Sequence, residues 1–139
     1  MCGIAGIFSD SKIDKNLVQD SINTISHRGP DETGFFAIES CVLGMCRLAI
    51  IDVNSGQQPN YTDNHQIVSV FNGEIYNFLD LKRLLQSRGY RIDASGDSAL
   101  IPFLYQEFGT DFPKLLQGMF AIAIYDKRSS KLVLVRDRI

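Results

Sequence analysis

Short apolar runs rich in β-branched and aromatic residues recur along the chain and predict β-strands. The two strongest runs close the sequence, and the turn-like residues 127–130 between them predict a hairpin. The predicted strands cover residues 3–9, 34–38, 42–50, 66–71, 120–126 and 131–137.

Three further stretches predict helices with recognisable boundary signals. Gly89 follows the second as a stop signal, and Asp97 is placed as the N-cap of the third. Pro102 falls about five residues inside the third helix, where it should kink or delay it. Because strands and helices do not alternate strictly, they predict an α+β fold with antiparallel sheets, formed by one domain over residues 1–139. The predicted helices cover about 14–26, 77–88 and 97–108.

Composition narrows the class of protein. With 139 residues, 45% hydrophobic and 22% charged, the chain predicts one globular domain. A net charge of −2 argues against a nucleic-acid partner, and no apolar run is long enough to span a membrane. No nucleotide-binding loop or metal-binding set is found, so neither a cofactor nor a metal is predicted.

The three cysteines are an odd set without metal-ligand spacing. Together with the missing export signal, this predicts free thiols and a cytoplasmic location. Cys41 and Cys46 lie in an apolar stretch and are interpreted as small buried hydrophobic residues.

Cys2 differs because it directly follows the initiator methionine. Removal of Met1 would place its thiol and the free α-amino group on one residue. An α-amino group has a reference pKa of about 8 and can act as the base that deprotonates a thiol. Cys2 is therefore a candidate nucleophile, and the alternative is an accident of sequence.

Asn72 and Gly73 form a second candidate cluster. Asn-Gly after a strand is a strong hairpin-turn signal, which is the structural interpretation. In the functional interpretation, the Asn72 amide and the Gly73 N–H converge on a developing oxyanion. The following residues lead into a predicted helix and not into a second strand, which favours function.

Two charged residues at element ends are also candidates. Arg47 could clamp a small carboxylate in a bidentate pair, or it could form a structural salt bridge with Asp52 or Glu39. Asp97 could be only a helix cap. His27 and His65 show no catalytic or metal spacing and are interpreted as surface residues.

These clusters occur in an order that resembles the class II glutamine amidotransferase domain, and within it the glutamine-hydrolysing asparagine synthetases. The resemblance implies an N-terminal-nucleophile hydrolase fold, an αββα sandwich of two antiparallel sheets. It also implies hydrolysis of L-glutamine to glutamate and ammonia. The motifs that carry it are MCGI (1–4), HRGPD (27–31), RLAIID (47–52), FNGEIYN (71–77), GMFA (118–121) and RDR (136–138).

The resemblance also implies a role for each site residue. The Cys2 thiol attacks the side-chain amide, Asn72 and Gly73 form the oxyanion hole, and a loop over residues 47–52 closes on the substrate. Arg47 holds the α-carboxylate of glutamine, and Asp97 together with residues 73–74 holds its α-amino group. The implied substrate-binding residues are Arg47, Ile50, Ile51, Glu74 and Asp97.

In the family, an ATP-dependent synthetase domain that uses Mg²⁺ follows the amidotransferase domain, and neither ligand is expected in residues 1–139. The sequence stops at the tail of a strand, so a truncated domain is expected. Departures from the family pattern occur at Met45, Ala99 and Pro102. Ala99, Pro102 and the abrupt end keep open the alternative of a non-catalytic remnant. Because the acceptor is chosen outside this domain, an amidotransferase domain serving another acceptor, such as a sugar or antibiotic precursor, is a second open alternative. A homodimer is a further open alternative.

Overall fold

The computed structural model describes residues 2–48, 56–93 and 96–138. The strands are β1 (Gly3–Phe8), β2 (Glu32–Ala37), β3 (Cys41–Arg47), β4 (Asn60–Tyr61), β5 (Ile67–Ile75), β6 (Gly118–Asp126) and β7 (Lys131–Arg136). The α-helices are α1 (Lys15–Thr24), α2 (Phe78–Ser87) and α3 (Ile101–Phe108), and 3₁₀ turns cover Ser26–Arg28, Ser98–Leu100 and Gly109–Leu115.

The strands form two antiparallel sheets. The first has the order β1-β3-β2, and the second has the order β4-β5-β6-β7. In the second sheet, β6 and β7 make the predicted hairpin, in which Asp126 pairs with Lys131. The predicted α+β class with antiparallel sheets is therefore confirmed.

The helices and sheets are arranged in four layers, and an apolar cluster lies between each pair of neighbouring layers. In β3, Leu43 and Met45 face the second sheet, whereas Val42 and Cys46 face α1. The second sheet also buries both of its faces, because β5 turns Val68 and Val70 toward the first sheet and Ile67 and Phe71 toward α2 and α3. This alternation, with a period of two residues, produces the helix-sheet-sheet-helix order.

Contacts of Tyr125 on β6 fix the relative direction of the two sheets. Its ring centroid lies 6.0 Å from that of Phe8, and its hydroxyl lies 3.5 Å from the Ser40 hydroxyl. Phe8 ends β1, and Tyr125 pairs with Val68 near the start of β5. The start of β1 and the ends of β3 and β5 therefore meet at the opposite end of the sandwich. That end carries Cys2, Arg47, Asn72 and Gly73.

The strand predicted at 66–71 is longer than expected, since β5 runs on to Ile75. Asn72 and Gly73 lie inside it, so the hairpin-turn interpretation was wrong. Gly73 has a φ of 154°, and a Cβ there would lie 2.1 Å from the Met119 carbonyl oxygen. Gly118 has a φ of 156°, and a Cβ there would lie 2.0 Å from the Glu74 carbonyl oxygen. Glycine at both positions allows β5 and β6 to approach closely at this end.

The third predicted helix consists of a 3₁₀ turn followed by an α-helix. The Asp97 carboxylate accepts a hydrogen bond from the Ser98 amide and caps the 3₁₀ turn Ser98–Leu100. The α-helix then starts at Ile101, with Pro102 in its first turn, where a missing N–H is tolerated. The predicted cap and the predicted delay of the helix are both confirmed.

The remaining sequence predictions concern surfaces and thiols. Cys41 and Cys46 are fully buried free thiols, as expected, and Cys2 is a half-buried free thiol. His27 and His65 are exposed. None of the helices in the described part of the chain has the length and apolar character that a membrane crossing requires. The two-residue strand β4 is too short to give a sequence pattern.

Candidate active site

Cys2 lies directly before β1 and packs against the apolar cluster between the two sheets. Gly3 pairs with Cys46 on β3, so Cys2 lies level with Arg47, one residue beyond this ladder. Its carbonyl oxygen accepts a hydrogen bond from Nε of Arg28 at 3.2 Å. Arg28, in the segment that follows α1, therefore fixes the backbone of the candidate nucleophile.

This segment also fixes the backbone of Arg47. A Cβ on Gly29 would lie 2.5 Å from the Cys46 carbonyl oxygen, so only glycine lets the segment lie against β3. Pro30 forms a parallel bridge with Arg47, whose carbonyl oxygen accepts a hydrogen bond from the Asp31 amide at 3.0 Å. Residues 28–31 thus connect Cys2 to Arg47. Sequence reasoning gave these residues no positioning role, because only the folded structure brings them against β3.

Arg47 is buried on the face of β3 that looks toward the second sheet. Its Nη1 lies 3.0 Å from Oε2 of Glu32, the residue directly opposite on β2. The structural partner predicted at Glu39 was wrong, because Glu39 lies in the turn at the other end of β3. Gly56 lies against the guanidinium, since a Cβ there would be 2.3 Å from Nη2. The alternative partner Asp52 lies outside the described residues.

Asn72 follows Val68 and Val70 on the face of β5 that looks toward the first sheet. Its side chain therefore shares the space between the sheets with those of Cys2 and Arg47. The amide oxygen Oδ1 is buried and has no hydrogen-bond partner among the described residues. A buried polar atom left unpaired costs about 1–3 kcal/mol. Such a group is one that a ligand can use.

Two carboxyl groups lie beside the end of β5. Asp97 accepts hydrogen bonds from the Ile75 amide at 2.8 Å and from the Ser98 amide at 2.7 Å. Burial raises the pKa of Asp97, although these amides oppose the shift. Burial and the nearby Asp97 also raise the pKa of Glu74. A cation close to both carboxylates would relieve the repulsion between them.

Asn77, the last residue of the FNGEIYN motif, has a structural role. Its Nδ2 donates to the Leu115 carbonyl oxygen at 2.9 Å, and its Oδ1 accepts from the Gln117 amide at 3.0 Å. These bonds tie the end of β5 to the segment before β6. The motif therefore contains residues with different tasks, which the sequence alone does not separate.

Other predicted positions lie at the margin of this site or outside it. Ile50 and Ile51 lie outside the described residues. Met45 is fully buried in the inter-sheet cluster and pairs with Ile4 on β1. In the described part of the chain, no group of acidic, histidine or cysteine side chains is arranged to hold a metal ion.

The cysteines provide a first test of these positions. We expect iodoacetamide at about pH 8 to modify Cys2 and to spare Cys41 and Cys46 in the folded protein. Cys41 and Cys46 are both 0% exposed, and burial raises the pKa of Cys41 to about 11. Roughly one Cys41 in a thousand is then a thiolate at about pH 8. Peptide mass mapping, with denatured protein as the control, measures the labelling. Equal labelling of Cys41 and Cys2 in folded protein would contradict the structure.

Comparison with known protein families matches residues 1–139 to the glutamine amidotransferase domain. The chain belongs to this family. Asparagine synthetase [glutamine-hydrolyzing] 2 of Oryza sativa subsp. japonica is 37% identical over 142 residues, which cover 100% of this chain and 24% of that protein. The corresponding enzyme of Asparagus officinalis is 39% identical over the same shares. Asparagine synthetase [glutamine-hydrolyzing] 1 of Bacillus subtilis is 34% identical and shares 99% of this chain and 22% of its own. The chain thus spans about a quarter of the length of these curated relatives.

Solved structures show the fold of this amidotransferase domain. Glutamine phosphoribosylpyrophosphate amidotransferase of B. subtilis superposes with a TM-score of 0.78 at 17% identity, covering 99% of this chain and 37% of that one. An allosteric regulatory enzyme of purine biosynthesis gives 0.81 at 16% identity, with the same coverage. The predicted N-terminal-nucleophile hydrolase sandwich is confirmed. The domain is homologous to the N-terminal part of the glutamine-hydrolysing asparagine synthetases.

Proposed function

We propose that this domain hydrolyses the side-chain amide of L-glutamine, and that the ammonia serves asparagine synthesis from aspartate in a longer protein. One observation carries the proposal: strand alternation turns Cys2, Arg47 and Asn72 into the same end of the space between the sheets. A nucleophile, a buried cation and an amide whose oxygen has no partner among the described residues then face one ligand. The three curated relatives described above are named glutamine-hydrolysing asparagine synthetases, which supports asparagine synthesis as the use of the ammonia.

The reaction uses Cys2 as nucleophile and base. After removal of Met1, the α-amino group takes the thiol proton, and the thiolate adds to the amide carbon. The Asn72 side-chain amide and the Gly73 N–H stabilise the oxyanion. The protonated amine then gives its proton to the leaving nitrogen, so that ammonia departs and a thioester remains. Water hydrolyses the thioester, releases glutamate and restores the thiol.

The rest of the substrate is held by opposite charges. The Arg47 guanidinium binds the α-carboxylate, since its planar fork fits a carboxylate. Asp97 and Glu74 bind the α-amino group at the end of β5. A zwitterionic amino acid is thereby selected over a simple amide. Ile50 and Ile51 belong to the loop over residues 47–52, which we propose closes on the bound substrate. ATP and Mg²⁺ serve only the synthetase domain, which lies beyond residues 1–139 in this proposal.

The raised pKa of Asp97 predicts how glutamine affinity depends on pH. Only the ionised carboxylate attracts the substrate ammonium, so KM should increase as pH falls through the raised pKa of Asp97. Asp97→Asn should raise KM about tenfold at neutral pH and flatten this dependence. Steady-state kinetics across the acidic range measures both effects. A wild-type KM that stays constant through this range would contradict the assignment.

The increase in KM at low pH cannot come from acid unfolding driven by Asp97, because protonation of Asp97 does not destabilise the fold. A folded-state pKa above the unfolded value means that the native chain binds the extra proton. The stabilising contribution of Asp97 is then present at low pH and is lost as pH rises through the raised pKa. Affinity and this contribution therefore change in opposite directions. Circular dichroism over the same pH range separates the two.

A direct assay tests the proposed function. Purified full-length protein is incubated with glutamine, aspartate, ATP and Mg²⁺, and glutamate, ammonia and asparagine are measured, with ammonia replacing glutamine as the control. Glutamate and asparagine formed together support the proposal. Glutamate without asparagine contradicts the proposed acceptor and favours another one. No glutamine consumption by protein that still makes asparagine from ammonia contradicts the glutaminase activity.

A further inference from the structure

The Arg47 guanidinium already holds a carboxylate from its own chain. Glu32 and Arg47 are directly opposite on β2 and β3. Both side chains point between the sheets, since Phe36 and Met45 on the same strand faces belong to the inter-sheet cluster. Nη1 of Arg47 lies 3.0 Å from Oε2 of Glu32. The chemical group that the proposed substrate would offer to Arg47 is therefore present in the free protein.

The two partners differ in their access to solvent. The side chain of Arg47 is 6% exposed, whereas that of Glu32 is 33% exposed. The backbone at Gly56 lies against the Nη2 edge of the guanidinium. Among the described contacts of the guanidinium, the one with Glu32 is the more open to solvent, so we expect an incoming carboxylate to meet Arg47 on the side that Glu32 holds. Glu32 is partly hydrated in the pair and becomes more hydrated when it leaves, which offsets part of the lost contact with Arg47.

We propose that Glu32 occupies the carboxylate site on Arg47 and is displaced when glutamine binds, so that Glu32 sets the affinity for glutamine. This inference rests on the proposed function, in which Arg47 binds the α-carboxylate. Before binding, Glu32 places an opposite charge beside a buried cation, which lowers the cost of burying that charge. During binding, the substrate must replace this contact, which weakens the observed affinity. Ligands without a carboxylate gain nothing from Arg47, because they cannot replace Glu32.

The test uses Glu32→Gln in the full-length protein, with Glu39→Gln as the matched control. The Glu32→Gln substitution removes the negative charge at position 32 and nearly preserves the shape of the side chain. The substrate carboxylate then no longer competes with an anion for Arg47. The expected result is a KM for glutamine about five- to tenfold lower, with kcat changed less than about twofold. Glu39 is an exposed acid at the opposite end of β3, and its replacement should leave KM unchanged.

A second measurement and a second variant separate affinity from folding. In a Cys2→Ala background, calorimetry should show tighter glutamine binding with Glu32→Gln than with Glu32. Glu32→Asp keeps the charge but shortens the reach, so it should lower KM by a smaller factor than Glu32→Gln. If Glu32→Gln fails to fold, Glu32→Asp carries the test. A KM that is unchanged or raised in a folded Glu32 variant overturns the proposal and leaves a purely structural ion pair.

The same experiments distinguish this inference from the proposed function. Cys2-dependent glutaminase activity, combined with a KM that Glu32→Gln does not lower, defeats only the role of Glu32. Glutaminase activity that survives Cys2→Ala defeats the proposed function, and with it the displacement of Glu32 by substrate.

Discussion

Cys2→Ala in the full-length protein is expected to lower kcat for glutamine hydrolysis at least about 10⁴-fold, because the nucleophile is removed. Synthesis of the amide product from added ammonia should continue at the wild-type rate, since that reaction does not need the thiol. Cys2 is only half-buried at the end of the sandwich, so its replacement by alanine removes little of the core. A coupled assay for glutamate, run in parallel with an ammonia-dependent assay, measures both activities.

The control for this substitution is Cys41→Ala. Cys41 is fully buried at the opposite end of β3, so its replacement removes a small hydrophobic side chain without touching the site. Glutaminase activity should persist in Cys41→Ala. Residual glutaminase activity in Cys2→Ala near the wild-type level would exclude Cys2 as the nucleophile.

Asn72→Ala should lower kcat by about 10² to 10³, which corresponds to about 2.7–4 kcal/mol for one oxyanion donor. KM should change much less, because the donor acts mainly on the transition state. The free energy of unfolding should stay constant or increase, since the buried Asn72 Oδ1 has no partner among the described residues. Kinetics and denaturant unfolding on the same sample measure these three quantities.

Asn77→Ala provides the matched control, because Asn77 lies in the same motif but binds Leu115 and Gln117. Loss of its two hydrogen bonds should lower the free energy of unfolding by about 1–3 kcal/mol. Its kcat should remain within a few-fold of the wild-type value. The reverse pattern, in which Asn72→Ala destabilises the protein and leaves kcat unchanged, would show that Asn72 is structural.

Local chemistry in the sequence was sufficient to predict several elements. The capping role of Asp97 depends on its own carboxylate and the next amide, and the delay caused by Pro102 depends on its ring. The extent of β5 could not be predicted in this way. Asn72 and Gly73 are poor strand formers, and the partner strand β6 overrides this preference through the close contacts that Gly73 and Gly118 permit.

Long-range pairing explains why part of the site was missed. Glu32 neighbours Arg47 only because β2 and β3 align in one register, which no local pattern in the sequence specifies. The same applies to Arg28, whose bond to the Cys2 carbonyl oxygen joins residues 26 positions apart. By contrast, the order of the motifs in the sequence is enough to indicate Cys2, Arg47 and Asn72, because each belongs to a separate motif of the family.

The role of Cys2 is tested most directly by the reaction of full-length protein with a glutamine analogue that carries an electrophile in place of the side-chain amide. Intact mass and peptide mapping should show one adduct per chain, on the thiol of an N-terminal Cys2 from which Met1 has been removed. Excess glutamine should slow the labelling. The absence of an adduct on Cys2, or labelling of a chain that retains Met1, would contradict the proposal that Cys2 is an N-terminal nucleophile.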